Sequence, residues 1–211
     1  FGFFLRRGGG KLVFVSDSLS RAYESVWRLQ RESLSTTILR TSTGQLQREK
    51  SAPKANPSCR FEVLTVAEAI PKKGIENWIE VVQHFKNSEP RVQVRFTWVG
   101  GGASLDSVRG IIRDRRLERI GVLSGHLEHV ENAYRRSDIY LHLSHQESLG
   151  LAVVDAARFG LPVVAYGVGG VPEVVQHSRN GFLAPRANVA AIISFLETLL
   201  ADQELRQKMS E

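Results

Sequence analysis

Residues Asp138–Tyr166 read DIYLHLSHQESLGLAVVDAARFGLPVVAY, which is an apolar run, a loop, a helical pattern and a second apolar run. The first run, Ile139–Leu143, and the last, Val163–Ala165, have the length and composition of buried strands. Between them, the apolar residues of Gly150–Phe159 recur at helical spacing. A strand, a helix and a strand in this order predict a parallel strand pair, with the helix crossing one face of the sheet.

The same alternation of strands and helices continues on both sides of this stretch. Apolar runs predict further strands at 61–66, 92–99 and 120–123, and helical spacing predicts helices at 75–85, 105–116 and 128–136. Downstream, we expect a turn-helix at 171–175 and a helix at 189–200 whose apolar residues form one stripe. These units predict an α/β fold, in which a doubly wound parallel sheet is covered by helices on both faces.

Two acidic residues border the junction between a loop and the helix at Gly150. Glu147 precedes the helix, and Asp155 lies on it, one turn beyond Leu151 on the same face. The N–H groups at a helix start have no partners within the helix, and with the helix dipole they form a seat for a phosphate. Ligands of open parallel sheets bind at the carboxyl ends of the strands. A nucleotide-linked ligand is therefore expected at this edge, beside Gly74, Gly100–Gly102, Gly125 and Glu147.

A series of motifs in this chain resembles the retaining glycosyltransferases of family four, also called group 1. The family carries E-x7-E, A-x-x-x-G-x-P-V-V and G-G-x-x-E, and the chain has Glu147 to Asp155, Ala156 to Val164 and Gly169 to Glu173. Upstream matches are Lys73-Gly74, Val99–Gly102 and Ser144. The resemblance covers about 61–211, and the order of the motifs makes it far more specific than any one of them.

The resemblance implies one half of a GT-B fold, a Rossmann-like domain that binds a nucleoside diphosphate sugar and transfers the sugar with retention. Residues 59–211 would be this donor-binding domain, and residues 1–58 a remnant of the acceptor-side N-terminal domain with its linker. No metal or other cofactor is expected. Chemistry in this fold takes place between two domains. Because most of the N-terminal domain is missing, the chain alone is expected to be a poor catalyst. The resemblance does not identify the acceptor.

The resemblance also implies roles for particular residues. Glu147 would be the catalytic acid that orients the donor sugar and stabilises developing charge, without acting as a covalent nucleophile. Donor binding would fall to Lys73 at the diphosphate, to Asp155 at the ribose, and to Gly74, Gly101, Ser144, Gly150 and Leu151. Simpler interpretations remain open. Lys73 can be a solvent lysine, Asp155 an ion-pair partner of Arg158, and Gly100–Gly102 a tight turn.

Two departures from the family pattern bear on activity. Glu68 stands where the family usually has an arginine, so it points away, or Lys72 compensates for it, or donor binding has decayed. Asp155 is one methylene shorter than the usual glutamate, which favours a weaker or water-mediated contact. Both leave open a non-catalytic, glycosyltransferase-like interaction or scaffold module. A dinucleotide-binding Rossmann domain is excluded, because no G-x-G-x-x-G opens a helix after the first strand.

The composition is that of a globular protein whose basic charge lies near the N-terminus. Residues 1–60 hold 11 Lys and Arg against 4 Asp and Glu, a charge of +7, and the rest of the chain is at −1. We interpret the basic part as solvated surface or linker. Peripheral contact with the inner face of a membrane stays open, and nucleic-acid binding is not expected. With no apolar run long enough for a span and no signal peptide, the expected location is cytoplasmic.

The first 60 residues predict little regular structure. We expect a strand at 11–16, a helix from Ser16 or Asp17 to Arg31, a brief strand at 37–39 and a polar linker over 41–60. Cys59 is the only cysteine and no Cys/His cluster has zinc-site spacing, so no structural metal is predicted. The scattered histidines at 126, 129, 142 and 145 are interpreted as packing or surface residues.

Overall fold

The computed structural model describes residues 12–14, 16, 18, 21–22, 36–38, 61–87 and 93–210. Its strands are β1 Leu12–Phe14, β2 Thr36–Ile38, β3 Phe61–Val66, β4 Val94–Val99, β5 Gly121–Gly125, β6 Ile139–His142, β7 Val163–Tyr166 and β8 Gly181–Ala184. Its helices are α1 Ile75–Asn87, α2 Leu105–Asp114, α3 Glu131–Arg136, α4 Leu151–Arg158, α5 Val171–Val174, α6 Val189–Ala201 and α7 Gln203–Met209. A 3-10 turn, Pro71–Lys73, precedes α1.

Six strands form one parallel sheet in the order β5-β4-β3-β6-β7-β8. The chain starts this sheet at its centre, with β3 bonded to β4 on one side and to β6 on the other. After β5 the chain therefore returns to the middle and builds outward in the other direction. Such a reversal leaves a crevice at the carboxyl ends of the two central strands, where open α/β sheets bind ligands.

Helices cover both faces of this sheet, which confirms the doubly wound fold predicted from the sequence. Successive residues of β3 point to opposite faces, so that Val63 packs with α1, α2 and α6 while Leu64 packs with α3, α4 and α5. The stripe on α6 is buried as expected at Val189, Ile192, Leu196, Leu199 and Leu200. Among the described residues, none of the helices combines the length and apolarity that crossing a membrane requires.

The described part of the first 60 residues includes a second, two-stranded parallel sheet made of β1 and β2. Two residues near it contact the larger domain. Ser16 is fully buried and its Oγ donates to the Ser148 carbonyl at 2.8 Å, while the Ser18 N–H donates to Glu173 Oε1 at 2.9 Å. Most of the predicted helix after Ser16 and the whole predicted linker over 41–60 lie outside the described residues.

Several element ends differ from those predicted, for local reasons. Helix α2 ends at Asp114 instead of residue 116. Arg116 adopts a left-handed φ of 53°, and Leu117 N–H donates back to Ile112 O at 2.8 Å. The helix thus ends in a left-handed residue, as many helices do, but this residue is not the usual glycine. Helix α3 begins at Glu131 instead of residue 128, and its first N–H bonds run from Asn132 to His129 O and from Ala133 to Val130 O. Strand β5 runs over Gly121–Gly125, later than the predicted 120–123.

The sequence analysis missed two elements, strand β8 and helix α7. Strand β8 has four residues and no alternating pattern, and it forms because β7 offers its free edge over Val163–Tyr166. Helix α7 is mostly polar, begins with the Asp202 carboxylate accepting from Leu205 N–H at 2.9 Å, and buries Met209. Both are stabilised largely by contacts with distant residues, which local periodicity does not record.

Candidate functional site

The candidate site lies where the loops after β3 and β6 meet at the carboxyl edge of the sheet. The turn after β3 is fixed to the β6 loop by two close approaches. His145 N–H donates to the Lys72 carbonyl at 2.8 Å, and Gly74, with a φ of 76°, lies so close that a Cβ on it would come within 2.0 Å of Leu143 O. Only glycine allows this approach. The docking of the turn places Lys73 over the loop that carries Glu147.

Lys73 and Glu147 form an ion pair in this crevice, with Nζ 2.6 Å from Oε2. The two side chains are 21% and 15% exposed, so both are largely shielded from solvent but still reachable from the cleft. The structure thus joins the two residues to which the sequence analysis gave the diphosphate and the sugar. Their roles in binding remain predictions.

His142, the last residue of β6, is a third member of this cluster, and its sequence pattern was interpreted as that of a packing or surface residue. Its ring is 3% exposed and Nε2 lies 3.4 Å from Glu147 Oε2, an ion-pair distance without hydrogen-bond alignment. Burial raises the pKa of Glu147, but His142 and Lys73 outweigh that effect and lower the pKa from 4.5 to about 2. Glu147 is therefore ionised at neutral pH.

Helix α4 begins beside this pair, with Gly150 as its N-cap residue and Leu151 as its first residue. The Gly150 carbonyl accepts from Val153 and Val154, the first N–H groups bonded within the helix. The N–H groups before them face the loop end, where helices bind anions. Leu151 is 64% exposed although Leu149 and Val153 on either side of it in the chain are buried, so an apolar side chain stands open at the mouth of the site.

Asp155 forms the ion pair with Arg158 that the sequence offered as the alternative to ligand binding. Arg158 Nη1 lies 3.3 Å from its Oδ1, and the Asp155 side chain is 41% exposed. A partly exposed i,i+3 pair of this type contributes little to stability, so a ligand could displace Arg158 at low cost. The proposed contact with a ribose therefore stays a prediction.

The remaining predicted residues differ in their surroundings. Gly101 has open space where its Cβ would be, whereas its neighbours Gly100 and Gly102 pack on the backbone of the β3 loop. Ser144 is fully buried, and its Oγ has no hydrogen-bond partner within the described part of the chain. Glu68 is exposed in the β3 loop and forms no ion pair with any described residue. Among the described residues no cluster suited to a metal ion occurs, and the expectation that no metal is needed remains untested.

Comparison with known proteins gives a consistent family assignment. Residues 47–211 match the family model described as glycosyl transferases group 1. Two curated relatives are each 30% identical to this chain: N-acetyl-alpha-D-glucosaminyl L-malate synthase of Bacillus anthracis over 132 residues, and sulfoquinovosyl transferase SQD2 of Arabidopsis thaliana over 137 residues. The matches cover 63% and 64% of this chain but only 35% and 26% of the relatives. The matched part therefore spans about a third or less of either relative's length.

A solved structure similar to this chain is that of Anabaena HepE in complex with UDP. The two superpose with a TM-score of 0.79 at 22% identity, over 95% of this chain and 56% of the other. At this level of identity the likeness concerns the fold, and it agrees with the sheet order and the two helical layers described above.

Proposed function

Because this chain belongs to the glycosyl transferases group 1 family, we propose that it binds a nucleoside diphosphate sugar as the donor side of a retaining sugar transfer. The main supporting observation is the contact between Lys73 and Glu147 beside the start of helix α4. A cation and free N–H groups suit a diphosphate, and an ionised carboxylate next to them suits the attached sugar.

The proposed donor extends from the helix start along one face of α4. Its diphosphate lies at Gly150 and Leu151 with Lys73 alongside, and its ribose hydroxyls take the place of Arg158 at Asp155. The open position at Gly101 leaves room for close approach of the ligand to the backbone. The full set of donor-binding residues is Lys73, Gly74, Gly101, Ser144, Gly150, Leu151 and Asp155.

The proposed reaction needs no metal, because Lys73 and the helix N–H groups offset the charge that the leaving diphosphate acquires. Glu147 is the proposed catalytic residue. Since its pKa is about 2, it meets the sugar as a carboxylate, which accepts hydrogen bonds from sugar hydroxyls and stabilises positive charge developing at the reacting carbon. It orients the sugar and is not assigned the part of a covalent nucleophile.

We further propose that residues 59–211 are the donor-binding domain and that residues 1–58 belong to an acceptor-side domain and its linker. On this proposal residues 1–211 bind donor but transfer sugar poorly by themselves. The charge of +7 in residues 1–60 fits an anionic acceptor or peripheral contact with a membrane surface.

Calorimetric titration of this chain with UDP, GDP and ADP tests the proposal. At least one of them should bind, and Lys73→Ala should weaken binding about ten-fold or more, because it removes a charge-assisted contact and leaves Glu147 to repel the diphosphate. The matched control is Lys208→Ala at an exposed position of α7, which should leave affinity unchanged. If none of the three binds at millimolar concentration, the proposal is wrong.

The alternative function, a non-catalytic interaction module, is supported by Glu68. Its exposed carboxylate stands in the β3 loop where the family resemblance calls for an arginine. If the donor site functions despite this charge, Glu68→Arg should strengthen nucleoside diphosphate binding by up to about ten-fold, whereas Glu204→Arg on α7 should not. If neither the wild-type chain nor Glu68→Arg binds a nucleoside diphosphate, the interaction module is favoured. Unchanged or weaker affinity of Glu68→Arg in a chain that does bind would show that Glu68 points away from the diphosphate.

A further inference from the structure

His142 has a buried ring nitrogen whose nearest partner is the proposed catalytic carboxylate. Nε2 lies 3.4 Å from Glu147 Oε2 and, among the described residues, has no hydrogen bond. A buried polar atom without a partner costs free energy, so one that persists at a functional site calls for an explanation. The explanation here is that the carboxylate is close enough to become the partner after a small movement.

The ring of His142 is held in place from behind. It stacks on Tyr140 of the same strand, with ring centroids 6.1 Å apart and planes inclined by 23°. Tyr140 is itself fixed, because it is fully buried and its hydroxyl donates to the Val66 carbonyl at 3.2 Å. His142 therefore offers Glu147 a rigid neighbour, in contrast to the flexible stem of Lys73.

His142, at the end of β6, and Lys73, in the 3-10 turn, approach the same oxygen of Glu147, Oε2. No described residue hydrogen-bonds to the other oxygen, Oε1, which leaves it available to a ligand. A donor diphosphate beside α4 would draw the Lys73 ammonium toward itself and weaken its hold on Oε2. Of the two neighbours, His142 alone would then remain close to that oxygen.

We propose that His142 is a positioning residue, which fixes the Glu147 carboxylate when the donor diphosphate engages Lys73. This inference rests on the proposed function and deepens it, since it concerns the same site in its donor-bound state. His142 would touch neither sugar nor nucleotide. It would act by holding Oε2, so that Oε1 meets the sugar in a fixed direction.

The contact itself can be tested without any ligand. The ring resonances of His142 should shift between the wild-type chain and Glu147→Gln in a proton–nitrogen NMR spectrum, because the variant removes the facing charge. His177 is the internal reference, since its Nδ1 accepts from Leu183 N–H at 3.1 Å and its ring packs on Phe182. An unchanged His142 resonance would overturn the proposal.

The role in turnover is tested by two substitutions of His142, in a form of the protein that transfers sugar. His142→Leu fills the space without a polar atom and should lower kcat about ten-fold or more, the size of effect that supporting residues have elsewhere, with nucleoside diphosphate affinity unchanged. His142→Gln returns an N–H near the position of Nε2 and should recover most of kcat. A kcat unchanged in His142→Leu, or equally low in both variants, would refute the positioning role.

These outcomes separate the inference from the proposed function. Failure of the wild-type chain to bind any nucleoside diphosphate would refute the donor-binding function and, with it, the role of His142. Normal binding with a fully active His142→Leu variant would refute the role of His142 alone.

Discussion

Lys73 pairs with Glu147 and, in the proposed function, also binds the phosphate groups of the ligand. In the ligand-free chain its Nζ lies 2.6 Å from Glu147 Oε2, with both side chains largely shielded. Attraction within such a pair is screened less than at an open surface. A diphosphate must compete with Glu147 for this lysine, so part of its binding free energy offsets the weakened pair. Nucleotide affinity therefore includes the cost of this exchange.

The low pKa of Glu147 gives a testable dependence of stability on pH. A carboxyl group whose folded-state pKa is about 2 adds stability above its ordinary pKa of 4.5 and loses it as the pH falls toward 2. We expect the wild-type chain to have a larger free energy of unfolding than Glu147→Gln near pH 6, with the difference shrinking as the pH is lowered from about 5. Urea unfolding at a series of pH values measures it.

The control for this series is Glu118→Gln, at an exposed position between α2 and β5. Its difference from the wild-type chain should be small and nearly constant over the same range, because solvent screens an exposed charge. A difference for Glu147→Gln that stays constant down to pH 3 would contradict the cause assigned to the low pKa.

At the level of the structural elements, the loop between β6 and α4 is held by the turn before α5. Gly170 N–H donates to the Ser148 carbonyl at 2.9 Å. Gly169 has a φ of 55°, and a Cβ on it would come within 1.7 Å of Glu147 O. The backbone of the proposed catalytic residue thus rests directly on the turn. The G-G-x-x-E motif has a structural task here, whatever further task it has in binding.

Gly169→Ala should therefore disturb the site through the backbone. The methyl group meets a carbonyl oxygen instead of a flexible side chain, and alanine is strained at a positive φ, so we expect a loss of about 1–3 kcal/mol in the free energy of unfolding. Gly110→Ala is the control: it lies in α2 with open space around it, and should be neutral or slightly stabilising. Equal effects of both substitutions, by urea unfolding, would contradict the backbone contact.

The elements that the sequence predicted well are those with a strong local pattern. Strand β3 and helix α6 bury continuous or striped apolar surface, so periodicity alone locates them. Strand β8 depends on the free edge of β7, and helix α7 on packing such as Arg206 over the Phe61 ring at 4.7 Å. Neither contact can be read from neighbouring residues along the chain.

The site was predictable to a similar extent. Motif order places Lys73 and Glu147 in one donor site, but their ion pair joins residues 74 positions apart and depends on the docked turn. His142 carried one usable signal: it ends strand β6 five residues before Glu147, on the side of the strand that Tyr140 shares. A histidine at the carboxyl end of a central strand is a stronger candidate for a site residue than the other histidines of the predicted group, His126, His129 and His145.

At the level of the whole molecule, the start of the chain reaches the same loop as the proposed donor. Ser16 and Ser18 hydrogen-bond to Ser148 and Glu173, which lie on either side of the helix that begins at Gly150. The reversal of strand order opens the crevice, and this contact supports one of its walls. These bonds indicate that residues before the six-stranded domain help to order the loop.

The last prediction applies to a form of the protein that transfers sugar, and it separates the roles of Glu147 and Asp155. If Glu147 acts on charge that develops only in the transition state, Glu147→Ala should lower kcat by about 100-fold or more without weakening nucleoside diphosphate affinity, because the substitution also frees Lys73 from its ion pair. Asp155→Ala should instead weaken nucleotide affinity through the ribose. If Asp155 only pairs with Arg158, at 3.3 Å and partly exposed, its removal should alter thermal stability slightly and affinity not at all. Steady-state kinetics and calorimetry on both variants distinguish these outcomes, and equally small effects of both substitutions would exclude the assigned division of roles.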